Sequence, residues 1–296
     1  MANEIADSIN ELLFSVALGN KVDVTEEDAA ILGAKVSMAI ERALTGRGKA
    51  QPRDGKKIYF SEVGSPCWRK VYYKYYGVEG ETLMPHALLK FIYGDLLEEL
   101  LLFLAEKAGN KVENQQGEVE IPLRDGWVLR GRIDAEINGK IVDVKSASTF
   151  AMKKFESLES LRKDDAFGYE DQLTGYAAGL NRVGDNAEFL AVDKTLGHIK
   201  SMSVPVTQGT VDALKNKADQ MTRMLEQPSP PAKMLGFEQP EGKSGNKKLC
   251  VTCSYCPYKN HCHKDSNGGR GLRTFLYSKG PVFLTEVQRE PKATEI

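Results

Sequence analysis

Two aspartates and a lysine, Asp134, Asp143 and Lys145, are tied together in this sequence by a strong local turn signal. Asn138-Gly139 separates two runs in which apolar and polar residues alternate. Such a dipeptide closes a two-residue hairpin because both central positions take positive φ. That turn pairs Ile137 with Lys140. The same register carried outward sets Asp134 opposite Asp143 at a non-hydrogen-bonded site, where Cα atoms approach to ~4.5 Å. Alternation puts Arg132, Asp134, Glu136, Ile141, Asp143 and Lys145 on one face. Ile133, Ala135, Ile137, Val142 and Val144 take the other, a core face. Like charges directly opposite destabilise a sheet. A divalent cation such as Mg2+ or Mn2+ removes that conflict, because hard carboxylate oxygens are its preferred ligands. Lys145 then reaches an attacking water or the charge developing on a transition state. The alternative reading of the same residues is an exposed hairpin whose charged face meets solvent.

The five cysteines form a second constellation. Four follow Cys250-x2-Cys253-x2-Cys256-Pro-x4-Cys262, and Cys67 stands far upstream. In a chain without a secretory pattern this spacing points to metal rather than to disulfides. Zinc would take the four tail thiolates, with His261 and His263 in reserve. An iron–sulfur cluster also asks for four thiolates.

The elements that must position these residues follow from periodicity and caps. Helices are expected over 4–18, 25–44, 88–108, 168–181 and 208–226, and strands over 117–123, 127–137, 140–146, 187–193 and 198–206. The order is that of a mixed α/β core with most strands consecutive. The segments 45–57 and 227–248, rich in Gly, Pro and Lys, read as linkers. The region 275–284 is either a strand or an oligomerisation arm. The acidic helices before residue 45 would cap the domain or bind a partner.

Net charge is −1 for 296 residues, which gives no global reason to expect nucleic acid, but its distribution does. Residues 45–74 hold eight basic side chains against two acidic ones, and 243–279 hold eight against one. Segregated positive charge of this kind can track a phosphate backbone; two solvated lysine-rich loops are the bland alternative. No apolar run approaches the ~20 residues of a membrane span, and no signal-peptide pattern opens the chain. A cytosolic location is expected, in a bacterium or a phage-infected host. No glycine-rich phosphate loop and no Ser/His/Asp arrangement is present.

Gly131-x2-Asp134 followed by Asp143-x-Lys145 resembles the second and third motifs of the RecB-like PD-(D/E)XK nucleases. Gly94-x3-Glu98-Glu99 is similar to the first motif of that family, and Gln172-x3-Tyr176 to the fourth. The motifs occur in the family's order, with Glu98 where many relatives have His and Asp143 where Glu is commoner. The resemblance implies a restriction-endonuclease-like core of a mixed sheet flanked by helices. It implies that Asp134 and Asp143 hold the metal, with Lys145 orienting or activating water. Glu98 becomes an accessory ligand, and Gln172 and Tyr176 position substrate. Glu99 is the alternative to Glu98, and core packing the alternative role for Tyr176.

Ser61-x5-Cys67-x-Arg69-Lys70 upstream, with Cys253-x2-Cys256-x5-Cys262 downstream, resembles the iron–sulfur nucleases of the CRISPR-associated and AddB groups. By that resemblance Cys67, Cys253, Cys256 and Cys262 bind a [4Fe-4S] cluster and Cys250 is spare. A loop of about 190 residues would be closed, restricting the unfolded chain, and the two basic segments would meet beside the active site. Arg69, Lys70 and Arg132 are expected on nucleic acid. Trp68, Tyr72, Tyr73, Tyr75 and Tyr76 would pack around the cluster or stack on unpaired bases. The expected organisation is N-terminal helices and linker over 1–57, a nuclease domain over 58–265 and an extension over 266–296.

The function these readings imply is metal-dependent exonucleolytic hydrolysis of DNA, on single strands or ends, in recombination, repair or phage DNA processing. The alternative is a nucleic-acid-binding assembly module, serving a helicase or CRISPR adaptation, whose nuclease site is subordinate. A zinc-ribbon structural protein with a fortuitous Asp-x-Lys is a third. A recombination or replication protein is a candidate partner, and an oligomer is compatible with the sequence.

Overall fold

The computed structural model describes residues 4–45, 51–82, 85–278 and 280–296, and of His86 only the backbone. Arg47, Lys49 and Lys279 of the two basic segments lie outside the described residues. The chain divides into two units by contact. The first comprises Met1–Gly48, Gly55–Ser65 and Met84–Thr222; the second comprises Lys49–Asp54, Pro66–Leu83 and Arg223–Ile296.

In the first unit the chain order is α1 (Glu4–Ala17), α2 (Glu26–Thr45), β1 (Lys57–Tyr59), α3 (Pro85–Lys107), β2 (Val112–Glu113), β3 (Glu118–Pro122) and β4 (Val128–Arg132). There follow β5 (Ala135–Ile137), β6 (Lys140–Ala147), α4 (Tyr169–Gly179), β7 (Asn186–Asp193), β8 (Ile199–Pro205) and α5 (Gln208–Leu225). Two sheets result, one in the order β1-β4-β3 and one in the order β2-β5-β6-β7-β8. The larger is mixed: β6 and β7 are parallel, and the remaining neighbours antiparallel. A parallel pair needs a crossover, and the stretch from Ser148 to Asp185, containing α4, provides it.

One face of the larger sheet is the dry core. Ala135, Ile137, Val142 and Val144, the face expected from alternation, pack with Leu190 and Val192 of β7 against Ile5, Ala6 and Ile9 of α1 and Leu101, Leu102 and Ala105 of α3. The first helix therefore caps the sheet through its apolar stripe. Together the mixed sheets and flanking helices make the restriction-endonuclease-like α/β fold that the motifs implied.

The expected hairpin forms: Ala135, Glu136 and Ile137 pair with Val142, Ile141 and Lys140, and Asn138 (φ 51°) and Gly139 (φ 75°) make the turn. The strand expected over 127–137 is broken, however. Ile133 and Asp134 belong to no strand; the chain before them pairs with β1 and β3, and the chain after them with β2 and β6. The register extrapolated from the turn thus stops one residue short of Asp134.

The second unit holds a five-stranded antiparallel sheet of β9 (Glu238–Pro240), β10 (Lys247–Leu249), β11 (Arg273–Tyr277), β12 (Gly280–Glu286) and β13 (Thr294–Glu295). The segment 227–248, read as a linker, supplies two of these strands. They pair with each other, and β10 also pairs with β12 near the end of the chain, a partner no local pattern announces. The ambiguous 275–284 region becomes strands of the same sheet. The helix Trp68–Tyr75 belongs to this unit, with Tyr72 and Tyr73 buried. Tyr73 lies 5.6 Å from Tyr258 and 4.8 Å from His261 between ring centroids, and the Tyr72 and Tyr76 hydroxyls donate to the Gln227 and Leu225 carbonyls. Tyr72 and Tyr73 pack in the core here, while the Tyr76 ring stays partly open to solvent.

Candidate active site

β6 delivers Asp143 and Lys145 to the sheet face opposite the dry core. Asp143 is 1% exposed, and its Oδ2 is ion-paired with the Lys145 ammonium. Beyond that ammonium, no donor among the described residues serves either carboxylate oxygen. A buried carboxylate is normally surrounded by donors, so this one has acceptor capacity to spare. Asp134, although off the ladder, turns its carboxylate back to β6, where Oδ2 accepts from the Val144 N–H at 2.7 Å. The break between β4 and β5 gives Asp134 the freedom to do so.

Electrostatics place the acidic groups in one cluster. Burial, then the charge of Asp143, pushes the Asp134 carboxyl up to about 7. Burial, followed by Asp134 and Glu99, pushes Glu98 up to about 8. For Lys145, burial favours the neutral amine, but the charges of Asp143 and Asp134 outweigh it and the net shift is upward. Lys145 is therefore an ammonium at neutral pH.

Glu98, and not its neighbour Glu99, is fixed to this cluster: Gln116 donates from Nε2 to Glu98 Oε1 at 2.7 Å, and the Gln116 backbone N–H donates to the Asp134 carbonyl at 3.1 Å. Glu99 lines a separate cavity of about 280 Å³ with Asp28, Lys35 and Gln115. Gln172 and Tyr176, one turn apart on α4, are joined by a hydrogen bond from Gln172 Nε2 to the Tyr176 oxygen at 2.7 Å. Burial, with the nearby Asp143 charge, raises the Tyr176 hydroxyl well above its usual range. Tyr176 also packs edge-on against Phe60, at 5.3 Å.

Arg132 is exposed and has no ion pair among the described residues, whereas Arg130 is paired with Glu118 and Glu120. Both arginines line a polar cleft of about 640 Å³ with Ser61, Gln116, Gly131 and Tyr176. Arg69 is already engaged in the second unit: its guanidinium donates to the Tyr73 hydroxyl at 2.7 Å and to the Pro231 carbonyl at 2.6 Å. Lys70 is exposed near Cys256, whose thiol feels its charge. Sequence reasoning missed Gln116, which sits in a turn at φ 56°, and Tyr169, whose ring lies 5.1 Å from the Lys145 ammonium. Nothing local to either residue marks it.

The donor set suits a hard divalent cation: acceptor-only carboxylate oxygens, one of them buried and unsatisfied, beside a fixed positive charge. Mg2+ is commonly held by one or two carboxylates with water and phosphate completing the shell. Among the described residues no three His, Cys, Asp or Glu side chains close around one point, so a partial, open set is what the protein provides.

The cysteines gather in the second unit without such closure. None of the five is in a disulfide, and Cys250 and Cys253 are buried. Burial raises the Cys253, Cys256 and Cys262 thiols, and each also feels Cys67; Cys253 in addition senses Cys250 and Cys256. Residues about 190 apart in sequence are thus neighbours, and the donors are chemically right for a thiolate-bound centre.

The sequence model of the PD-(D/E)XK nuclease superfamily matches residues 20–263. The chain belongs to that superfamily, and is a nuclease. The crystal structure of SSO0001 is similar with a TM-score of 0.43 and 16% identity, over 77% of this chain and 94% of that one. The structure of LHK-Exo in complex with dAMP gives a TM-score of 0.43 and 13% identity, over 58% and 88%. The alkaline exonuclease LHK-Exo from Laribacter hongkongensis gives 0.38 and 13%, over 58% and 88%. These are distant likenesses, and no feature of the site rests on them. A comparison with curated proteins gave no match. No helix among the described residues is long and apolar enough to cross a membrane.

Proposed function

We propose that this nuclease is a divalent-metal-dependent deoxyribonuclease that trims DNA at ends or along single strands, in recombination, repair or phage DNA processing. The observation that carries the reading is the buried carboxylate of Asp143, set beside Asp134 and served by the Lys145 ammonium with no further donor among the described residues. Mg2+ or Mn2+ bound there would neutralise the carboxylates and polarise a phosphodiester oxygen. Asp134 and Asp143 would hold it, with Glu98 as the accessory ligand fixed by Gln116.

Lys145 stays protonated between the aspartates, so its role is to donate: it orients the attacking water and meets the negative charge that grows on the phosphoryl oxygens. Gln172 and Tyr176 act as one hydrogen-bonded unit on α4 and position the strand. Arg132, unpaired in the polar cleft, meets backbone phosphate. Lys70, exposed in the second unit, and Arg69 would also meet nucleic acid.

Cys67, Cys253, Cys256 and Cys262 would hold a [4Fe-4S] cluster, a reading supported by the shared neighbourhood of their thiols. The expected outcome of a cleavage assay is DNA hydrolysis by purified protein with Mg2+ or Mn2+, falling roughly 100-fold or more in Lys145→Ala and in Asp134→Ala. Full activity in either variant overturns the assignment.

A further inference from the structure

Lys145 stands beside a file of aromatic rings that the hydrolytic reading leaves unused. Phe189 on β7 is fully buried, and Phe155, also buried, meets it at 5.6 Å. Tyr169, the first residue of α4, is nearly parallel to Phe155 at 6.2 Å and 23°, and its ring lies beside the Lys145 ammonium. Phe167 stacks on Tyr169 at 5.4 Å and 21°. The file thus runs from the core to a ring that is 60% exposed. Nearby in sequence Phe150 is 76% exposed. Two consecutive lysines hold their ammonium groups over these two outer rings, Lys153 over Phe150 and Lys154 over Phe167, each at 5.7 Å. Lys154 is also bound to Asp164, through its carboxylate at 2.8 Å and its carbonyl at 2.7 Å.

One exposed phenyl ring on a surface is ordinary. Here two of them share a single crossover segment with a lysine over each, and that segment joins β6, which carries Asp143 and Lys145, to α4, which carries Gln172 and Tyr176. The inner rings fix Phe167 flat against Tyr169, and although Lys154 lies over the ring, most of the residue stays exposed. A flat apolar surface edged with ammonium groups suits a ligand that has exposed π faces joined by anions. An unpaired nucleic-acid strand has both, whereas bases stacked inside a duplex hide their faces.

We propose that residues 148–169 form a stacking ledge for an unpaired DNA strand. Phe167 and Phe150 each receive a base face, and the exposed Lys153 lies along the adjoining phosphate, while Lys154, held by Asp164, keeps its place over Phe167. The ledge feeds the strand toward Lys145, and selects single strands and frayed ends over intact duplex. This inference rests on the nuclease reading for its substrate, but its test does not depend on cleavage.

Binding of a fluorescein-labelled oligothymidylate and of an abasic strand of equal length, both in metal-free buffer, is measured by anisotropy. Wild type is expected to prefer the thymidylate. Phe167→Ala and Phe150→Ala should each lower thymidylate affinity by roughly 5- to 100-fold while leaving abasic affinity unchanged, and Phe167→Trp should retain it. Phe167→Leu, which preserves bulk against Tyr169, should lose affinity as Phe167→Ala does, and so separates stacking from a folding defect. Wild-type thymidylate binding in the double alanine variant overturns the ledge. So does an equal loss on both strands. Absence of hydrolysis by wild type with Mg2+ or Mn2+ would count against the nuclease reading alone, because the anisotropy result stands by itself.

Discussion

At the scale of single residues, the site is a set of acids that the fold keeps from ionising freely. Asp134 at about 7 and Glu98 at about 8 compare with ~4 for carboxyls in an unfolded chain. Because the folded-state values are the higher ones, the folded metal-free protein binds more protons than the unfolded chain between about pH 4 and pH 8. Its stability is therefore fully present at the acid end of that window and is lost as pH rises through it. A cation that binds the ionised pair reverses the loss. The melting-temperature gain given by Mn2+ should grow from about pH 6 to about pH 8 and shrink in Asp134→Asn; a gain independent of pH would contradict this. Asp143 and Lys145 were legible in the sequence because one Asn-Gly turn and strict alternation place them on β6, whereas Asp134 was legible only as a neighbour of the hairpin, since the ladder ends at Ala135. Gln116 and Tyr169 were not, since Gln116 reaches Glu98 across 18 residues and Tyr169 reaches Lys145 across a crossover.

At the scale of elements, close approach of three segments shapes the cleft. A Cβ added at Gly131 would fall 2.8 Å from Phe60 Cδ2 and 3.0 Å from Tyr176 Cε1, so the β4 backbone passes directly under the tyrosine that Gln172 holds. Gly131→Ala should cost about 1–3 kcal/mol, displace Tyr176 and slow cleavage, read by urea denaturation and by rate; an unchanged variant would show that the contact is slack. The family's second motif thus begins with glycine for a steric reason, and that reason was invisible without Phe60, some 70 residues upstream. The helices and most strands of the first unit were readable from period and caps. The interruption at Ile133–Asp134 was not, because alternation continues through it, and only the change of sheet partners reveals it. That interruption frees the Asp134 carboxylate to bind the Val144 N–H.

At the scale of the whole molecule, the cysteine spacing and the contacts agree on long-range closure. Cys67 and the tail cysteines fall in one unit, whose sheet is made entirely from residues after 237. Local periodicity could not show this, because β9 and β10 are three residues each and their pair is joined to the rest of the sheet only through β12, late in the chain. Protein purified without oxygen should be brown, with a broad band near ~400 nm; Cys256→Ser should lose the colour and melt at lower temperature. Zinc without iron or sulfide on elemental analysis would replace the cluster by a tetrahedral thiolate site.

The account as a whole depends on two carboxylates sharing one cation next to a lysine, and calorimetric titration of Mn2+ into the metal-free protein reads that directly. The account predicts a site whose affinity drops at least ~10-fold, about 1.4 kcal/mol, in Asp134→Asn and again in Asp143→Asn, with the double variant little worse than either. Wild-type Mn2+ binding by Asp143→Asn would contradict it.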